Sequence, residues 1–144
     1  MRASEPTAHG DVQRNGIRVG YEVHGSGEHT ILLLPTWSII HSRSWKMQVP
    51  WLARHARVIT FDGRGNGNAD RPLDPGAYTP GEFAADALAV LDATSTRAAL
   101  VVSFSIGAPR ALTLAAEHPD RVAGLAFIGP TLPICSRPCC GRER

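Results

Sequence analysis

The chain has 144 residues, 43% of them hydrophobic and 19% charged, with a formal net charge of +2 from 15 basic and 13 acidic side chains. That length gives one domain room for a real core and excludes two large ones. Charges of both signs are spread along the chain, which leaves no basic stripe for nucleic acid or an anionic membrane, so small molecules are the expected partners. Met1 to Gly10 is polar and no apolar run approaches the length of a membrane span, which makes a cytoplasmic location the default expectation.

In chain order, Asp11 to Gly27 holds Asn15-Gly16 ahead of a run in which Ile17, Val19, Tyr21 and Val23 alternate with Arg18, Gly20, Glu22 and His24. An Asn-Gly pair between alternating runs predicts a half-buried hairpin at a sheet edge. Thr30 to Leu34 is a different kind of strand, apolar without alternation, as in a parallel sheet covered on each side. Pro35-Thr36-Trp37-Ser38 leaves that strand sharply, and Ser44 to Ala53 predicts a helix interrupted near Pro50. Arg57 to Phe61 is the next buried strand. After it, Asp62-Gly63-Arg64-Gly65-Asn66-Gly67 lacks the third glycine opening a helix that a dinucleotide fingerprint requires. A turn with positive φ at glycine is the expected use, with Asp62 and Arg64 as structural partners in it.

Leu73 to Tyr78 is a Pro/Gly-rich surface loop. Thr79-Pro80-Gly81-Glu82 has capping-box spacing with proline at the first helical position, and Phe83, Ala87, Leu88 and Leu91 recur at helical intervals, predicting a helix that ends near Thr94. Ala98 to Val102 reads as a buried strand, and Leu112, Leu114, Ala115 and Ala116 give Ala108 to His118 helical spacing. His118-Pro119 stops that helix and Val122 to Ile128 is a further strand. A hairpin followed by strand-helix-strand-helix-strand-helix-strand predicts a three-layer α/β fold: a mostly parallel sheet, an antiparallel N-terminal hairpin and right-handed crossovers.

The stretch with chemical content is Ser103-Phe104-Ser105-Ile106-Gly107, where a strand must turn abruptly into a helix. Small residues at 103 and 107 suit a nucleophile elbow, in which backbone approaches backbone and the central serine stands at a strained angle. Ser105 is then the candidate nucleophile, and the Ile106 N–H at the head of the helix faces a developing oxyanion. Ser103 replaces the first glycine of the usual G-x-S-x-G. A strand-to-helix turn with no chemistry fits the pentapeptide alone.

From Gly129 onward the pattern changes. Residues 131–144 have no period and are rich in Pro, Arg and Cys, as a disordered tail would be, which leaves 1–130 as the folded core. Cys135, Cys139 and Cys140 are the three cysteines of the chain; C-x3-C-C spacing without a following histidine is not a zinc pattern, and neither a metal nor a disulfide is expected.

With element order and elbow together, the chain resembles the amino-terminal half of the α/β-hydrolase fold family over about Asn15 to Ile128. The resemblance is carried by Tyr21-Glu22-Val23-His24-Gly25-Ser26-Gly27, Leu32-Leu33-Leu34-Pro35-Thr36-Trp37, Val58 to Gly67, the elbow itself, and Ala116-Glu117-His118-Pro119-Asp120-Arg121-Val122. It implies Ser105 as nucleophile and the N–H groups of Ile106 and Trp37 as oxyanion donors, with Pro35-Thr36 standing where the family commonly has His-Gly. It also implies cleavage of ester, amide or lactone bonds through an acyl-enzyme, with no metal or cofactor.

A serine hydroxyl needs a histidine to take its proton and a carboxylate to hold that histidine. In this fold both follow the serine in the chain. Here Asp120 leads into the next strand, Glu143 lies in the tail, and all six histidines, His9, His24, His29, His41, His55 and His118, precede the region where the base belongs. His41, after the third strand, is the one candidate for a substitute base. His118 closes the elbow helix, more than about 15 Å away at ~1.5 Å rise per residue.

The expectation is therefore a hydrolase by descent represented by a truncated chain of little or no turnover, with the Val122 to Ile128 edge unpaired and available for self-association. The alternatives are a non-catalytic binding module that pairs through that edge, or a serine whose base comes from another polypeptide. Trp37, Ile39 and Ile40 hint at an apolar pocket wall, and core packing accounts for them as well.

Overall fold

A computed structural model of the chain describes residues 5–37 and 40–131. Its first two strands, β1 (Ala8–Arg14) and β2 (Ile17–His24), form the antiparallel hairpin, with Arg14 opposite Ile17 and both turn residues left-handed, Asn15 at φ 52° and Gly16 at φ 75°. That geometry matches the right-handed twist of the strands it joins. β3 (Thr30–Leu33), β4 (Arg57–Phe61), β5 (Ala99–Phe104) and β6 (Val122–Ile128) complete a six-stranded sheet in the order β1-β2-β4-β3-β5-β6. β2 meets β4 antiparallel, whereas the β4-β3, β3-β5 and β5-β6 pairs are parallel.

The sheet is mostly parallel, as its apolar runs predict. β5 runs two residues beyond the expected Val102 and takes in Ser103 and Phe104.

Two helices cover one face. α2 (Pro80–Ala93) starts at Thr79, whose hydroxyl accepts the Glu82 N–H with Pro80 in the first turn, and α3 (Gly107–Glu117) packs beside it. Ala87, Val90, Leu91, Ala111 and Leu114 point into a core shared with Val19, Leu32, Ile59 and Val101, and Phe83 is buried under the Arg110 guanidinium. Ala99 and Val101 of β5 join it and Ser103 is buried beyond them, the two-residue period of a strand.

The opposite face is covered more thinly. The interrupted helix expected over Ser44 to Ala53 is instead a 3-10 turn at Ser42–Trp45 and a four-residue helix, α1 (Val49–Leu52), and the break falls at residues 46–48. Pro50 lies in the first turn of α1, where a missing N–H removes no intrahelical bond. Packing sets the break: Trp45 and Val49 drop together onto Leu33 and Val58, and the Trp45 indole N–H donates to the Leu34 carbonyl at 3.2 Å. Toward β5 and β6 this face is open, with Leu100 38%, Phe104 44% and Ile128 47% exposed, so cover on each side holds only in part among the described residues.

The loop after β4 has its left-handed glycines, Gly65 at φ 84° and Gly67 at φ 48°. Asp62 and Arg64 are structural, but they are not each other's partners. The buried Asp62 carboxylate accepts the backbone N–H of Ser42 and of Asn68, tying the loops after β3 and β4 together, and any side chain at Gly67 would enter it. Arg64 points the other way, into α2. The expected tail over 131–144, with Cys135, Cys139 and Cys140, lies outside the described residues apart from Thr131.

Candidate active site

In an open α/β sheet the crevice lies at the carboxyl ends of the strands where the connections change direction. Here β3 is flanked by β4 on one side and β5 on the other, so the loops leaving β3 and β5 are neighbours. Those loops carry Trp37 and Ser105.

Ser105 is the first of two residues between β5 and α3 and has φ 52°, the left-handed region that costs a non-glycine residue about 1–2 kcal/mol. Its conformation is held by the surrounding backbone. The Ser105 N–H donates to Ile128 O at 3.0 Å, while Ser105 O accepts the N–H of Ala108 and of Thr131, each at 3.1 Å. A Cβ at Gly107 would stand 3.3 Å from Ser103 Cβ and 3.4 Å from Pro35 O, which accounts for the small residues on either side of the serine. Ile106 caps α3, so its N–H has no intrahelical acceptor. Ser103 is buried, and its hydroxyl has no hydrogen-bond partner among the described residues.

The loop after β3 is moored to the same place. Leu34 N–H donates to Val102 O, the buried Thr36 hydroxyl donates to Phe104 O at 3.0 Å, and Arg110 of α3 donates through Nη1 to Pro35 O at 2.8 Å and to Thr36 O at 2.5 Å. The Arg110 guanidinium also lies 3.6 Å from the centre of the Phe83 ring. Burial lowers its pKa to about 10, so it remains cationic at neutral pH.

Sequence reading missed Arg110. Its signal was a charged residue at the 107, 110, 111, 114 spacing of the buried face of α3.

No histidine is brought to Ser105 by a described contact. The Ser105 hydroxyl has the Thr131 hydroxyl as its side-chain neighbour, at 3.4 Å. His41 accepts the Arg43 N–H as the cap of the 3-10 turn, His24 is buried against Glu22 at 3.3 Å, and His118 ends α3. A cavity of about 790 Å³ opens between β2, β4 and the 40–49 segment, lined by Glu22, His24, Ile40, His41, Lys46 and Thr60 among others, and Ser105 is not part of its wall. Trp37 is 55% exposed, and Ile39, grouped with it as a pocket wall, lies outside the described residues. Among the described residues no cluster of His, Cys, Asp or Glu could hold a metal ion, and no helix is long and apolar enough to cross a membrane.

Comparison with known proteins places this geometry in context. The family model described as alpha/beta hydrolase fold matches residues 24–138. Epoxide hydrolase B of Mycobacterium tuberculosis is 39% identical over 95 residues, 65% of this chain and 26% of its own. A 2-hydroxymuconate semialdehyde hydrolase of a Pseudomonas species is 36% identical over 107 residues, 74% of this chain and 34% of its own. Among solved structures, an N-acyl homoserine lactone degrading enzyme superimposes with a TM-score of 0.78 at 33% identity, covering 84% of this chain and 45% of that one. The chain spans less than half the length of these relatives.

Proposed function

Because this chain belongs to the alpha/beta hydrolase fold family, we propose that it carries the nucleophile and oxyanion half of a serine hydrolase site, with Ser105 attacking acyl carbons of small-molecule esters, lactones or amides. The observation that carries this reading is the left-handed backbone of Ser105 between β5 and α3, a strain that a plain strand-to-helix turn has no reason to keep on a serine. Ser105 Oγ adds to the carbonyl carbon, the carbonyl oxygen takes the charge beside the N–H groups of Ile106 and Trp37, and the leaving group departs with a proton to give an acyl-serine.

The relatives act on several bond types, and the nucleophile chooses among them. A serine that opened an epoxide would be left as an ether, with no carbonyl for water to attack, whereas an acyl-serine is an ester that water cleaves. The acyl side is therefore the proposed substrate class. Turnover is slow, because the neighbour of the Ser105 hydroxyl is Thr131 and none of the described histidines contacts it. Acid-quenched mixtures with a p-nitrophenyl ester, a simple lactone and an epoxide, mapped by mass spectrometry, test this. Acyl groups on Ser105 from the first two and nothing from the third are expected; an epoxide adduct, or no acyl group on Ser105, overturns the assignment.

A second reading follows from β6, which with β1 is one of the two edge strands of the described sheet and lies beside the open face of Leu100, Phe104 and Ile128. Unpaired strand edges template association. On this reading the chain is a non-catalytic module that pairs with a second copy. Sedimentation velocity decides it: a monomer across the micromolar range removes this alternative.

A further inference from the structure

We propose that Arg110 orients and polarises the Thr36–Trp37 peptide, so that the Trp37 N–H is held ready for negative charge on a substrate oxygen. Thr36 C=O and Trp37 N–H belong to one peptide unit. With no cis peptide among the described residues, planarity points the two groups in opposite directions. Arg110 Nη1 donates to Thr36 O and to Pro35 O, so fixing the oxygens fixes where the next N–H points. A cation at the oxygen end also draws electron density along the amide and strengthens the N–H as a donor, as linked hydrogen bonds polarise one another.

The arrangement is costly for mere mooring. A buried guanidinium is ordinarily matched by a carboxylate, as Arg64 is by Asp86, whereas Arg110 has two backbone carbonyls and the face of Phe83 among the described residues. The loop is already tied to β5 by the Thr36 hydroxyl and the Leu34 N–H, neither of which carries charge. The consequence for reactivity rests on the reading of Ser105 as nucleophile; the effect on the peptide does not.

Two measurements separate these layers. Hydrogen bonding to a carbonyl deshields the nitrogen of the same peptide, so in Arg110→Met the ¹⁵N resonances of Thr36 and Trp37 move upfield, and Arg110→Lys, with a point charge that reaches one carbonyl, restores part of the shift. In the unmodified protein, coupling across the hydrogen bonds from the Arg110 guanidinium to the Pro35 and Thr36 carbonyl carbons is expected, which needs no variant to fold. Phosphonylation of Ser105 by a fluorophosphonate slows about 10–100-fold in Arg110→Met, the effect of a misplaced or weakened oxyanion donor. Unmoved Thr36 and Trp37 resonances in a folded Arg110→Met chain, or absent couplings, overturn the proposal. Shifted resonances with an unchanged phosphonylation rate overturn its bearing on reactivity. If the unmodified chain is not phosphonylated, the serine reading falls and the resonances alone decide whether Arg110 governs this peptide.

Discussion

Arg64 donates to both oxygens of Asp86, through Nε at 2.5 Å and Nη2 at 2.9 Å, with each side chain 1% exposed. This bidentate pair joins the loop after β4 to α2, and Arg14 of the edge strand reaches the same carboxylate at 2.9 Å. Removing one partner of a buried pair costs about 3–5 kcal/mol, and here Arg64 would keep only the part-exposed Glu82 carboxylate, at 2.8 Å. Asp86→Ala is expected to lose stability on that scale in urea denaturation. A loss under about 1 kcal/mol would show that water reaches the pair freely.

Glu82 adds a pH-dependent contribution to the same network. A hydrogen bond from Arg14 holds its carboxyl below the ordinary value of 4.5, against the opposing effect of burial, and the charges of Arg14 and Arg64 assist. Because the folded value is the lower one, the stabilisation is fully present above the unfolded value and is lost as pH falls through the folded value. The side chain is 32% exposed, so solvent screens part of the effect. Glu82→Gln is expected to flatten the fall of stability between about pH 5 and 3 relative to the unmodified chain; an identical acid limb would contradict this.

The strain at Ser105 inverts a familiar order. Alanine is ordinarily the more stabilising of alanine and glycine, but a left-handed residue reverses this by about 1 kcal/mol. With Ser105 at φ 52°, thermal unfolding is expected to rank Ser105→Gly above Ser105→Ala. The opposite ranking would mean that the bend relaxes once the hydroxyl is gone.

Ser103 offers a test of the packing behind the elbow. Its buried hydroxyl lacks a partner among the described residues, and such a group costs about 1–3 kcal/mol. Ser103→Ala keeps the Cβ that faces Gly107 and removes the orphan, so a gain of about 1 kcal/mol is expected. A loss of stability would show that the hydroxyl is satisfied.

Local pattern carried much of this structure and long-range pairing carried the rest. The hairpin turn at Asn15-Gly16, the largely apolar runs of β3 and β4, the cap at Thr79 and the small residues around Ser105 each announce themselves within a few positions, because turn geometry and strand burial are local demands. Arg110 did not, since its partners Pro35 and Thr36 lie about 75 residues away and come within reach only when β3 and β5 pair. Asp62 and Arg64, two residues apart, suggested mutual pairing, yet one turns to Ser42 and Asn68 and the other to α2. The break in the 42–52 segment likewise came from Trp45 and Val49 settling on the sheet rather than from Pro50. Thr131 lay in a stretch read as tail, with no local signal that it would meet Ser105.

The central claim is that Ser105 is a nucleophile poised on a strained bend. Incubating the purified, folded chain with a fluorophosphonate, followed by peptide mapping, tests it most directly. Slow, single-site phosphonylation at Ser105 is expected, since none of the described histidines contacts its hydroxyl, and it is abolished in Ser105→Ala. A folded chain that stays unmodified at Ser105, or a Ser105→Ala variant labelled to the same extent, would contradict the account.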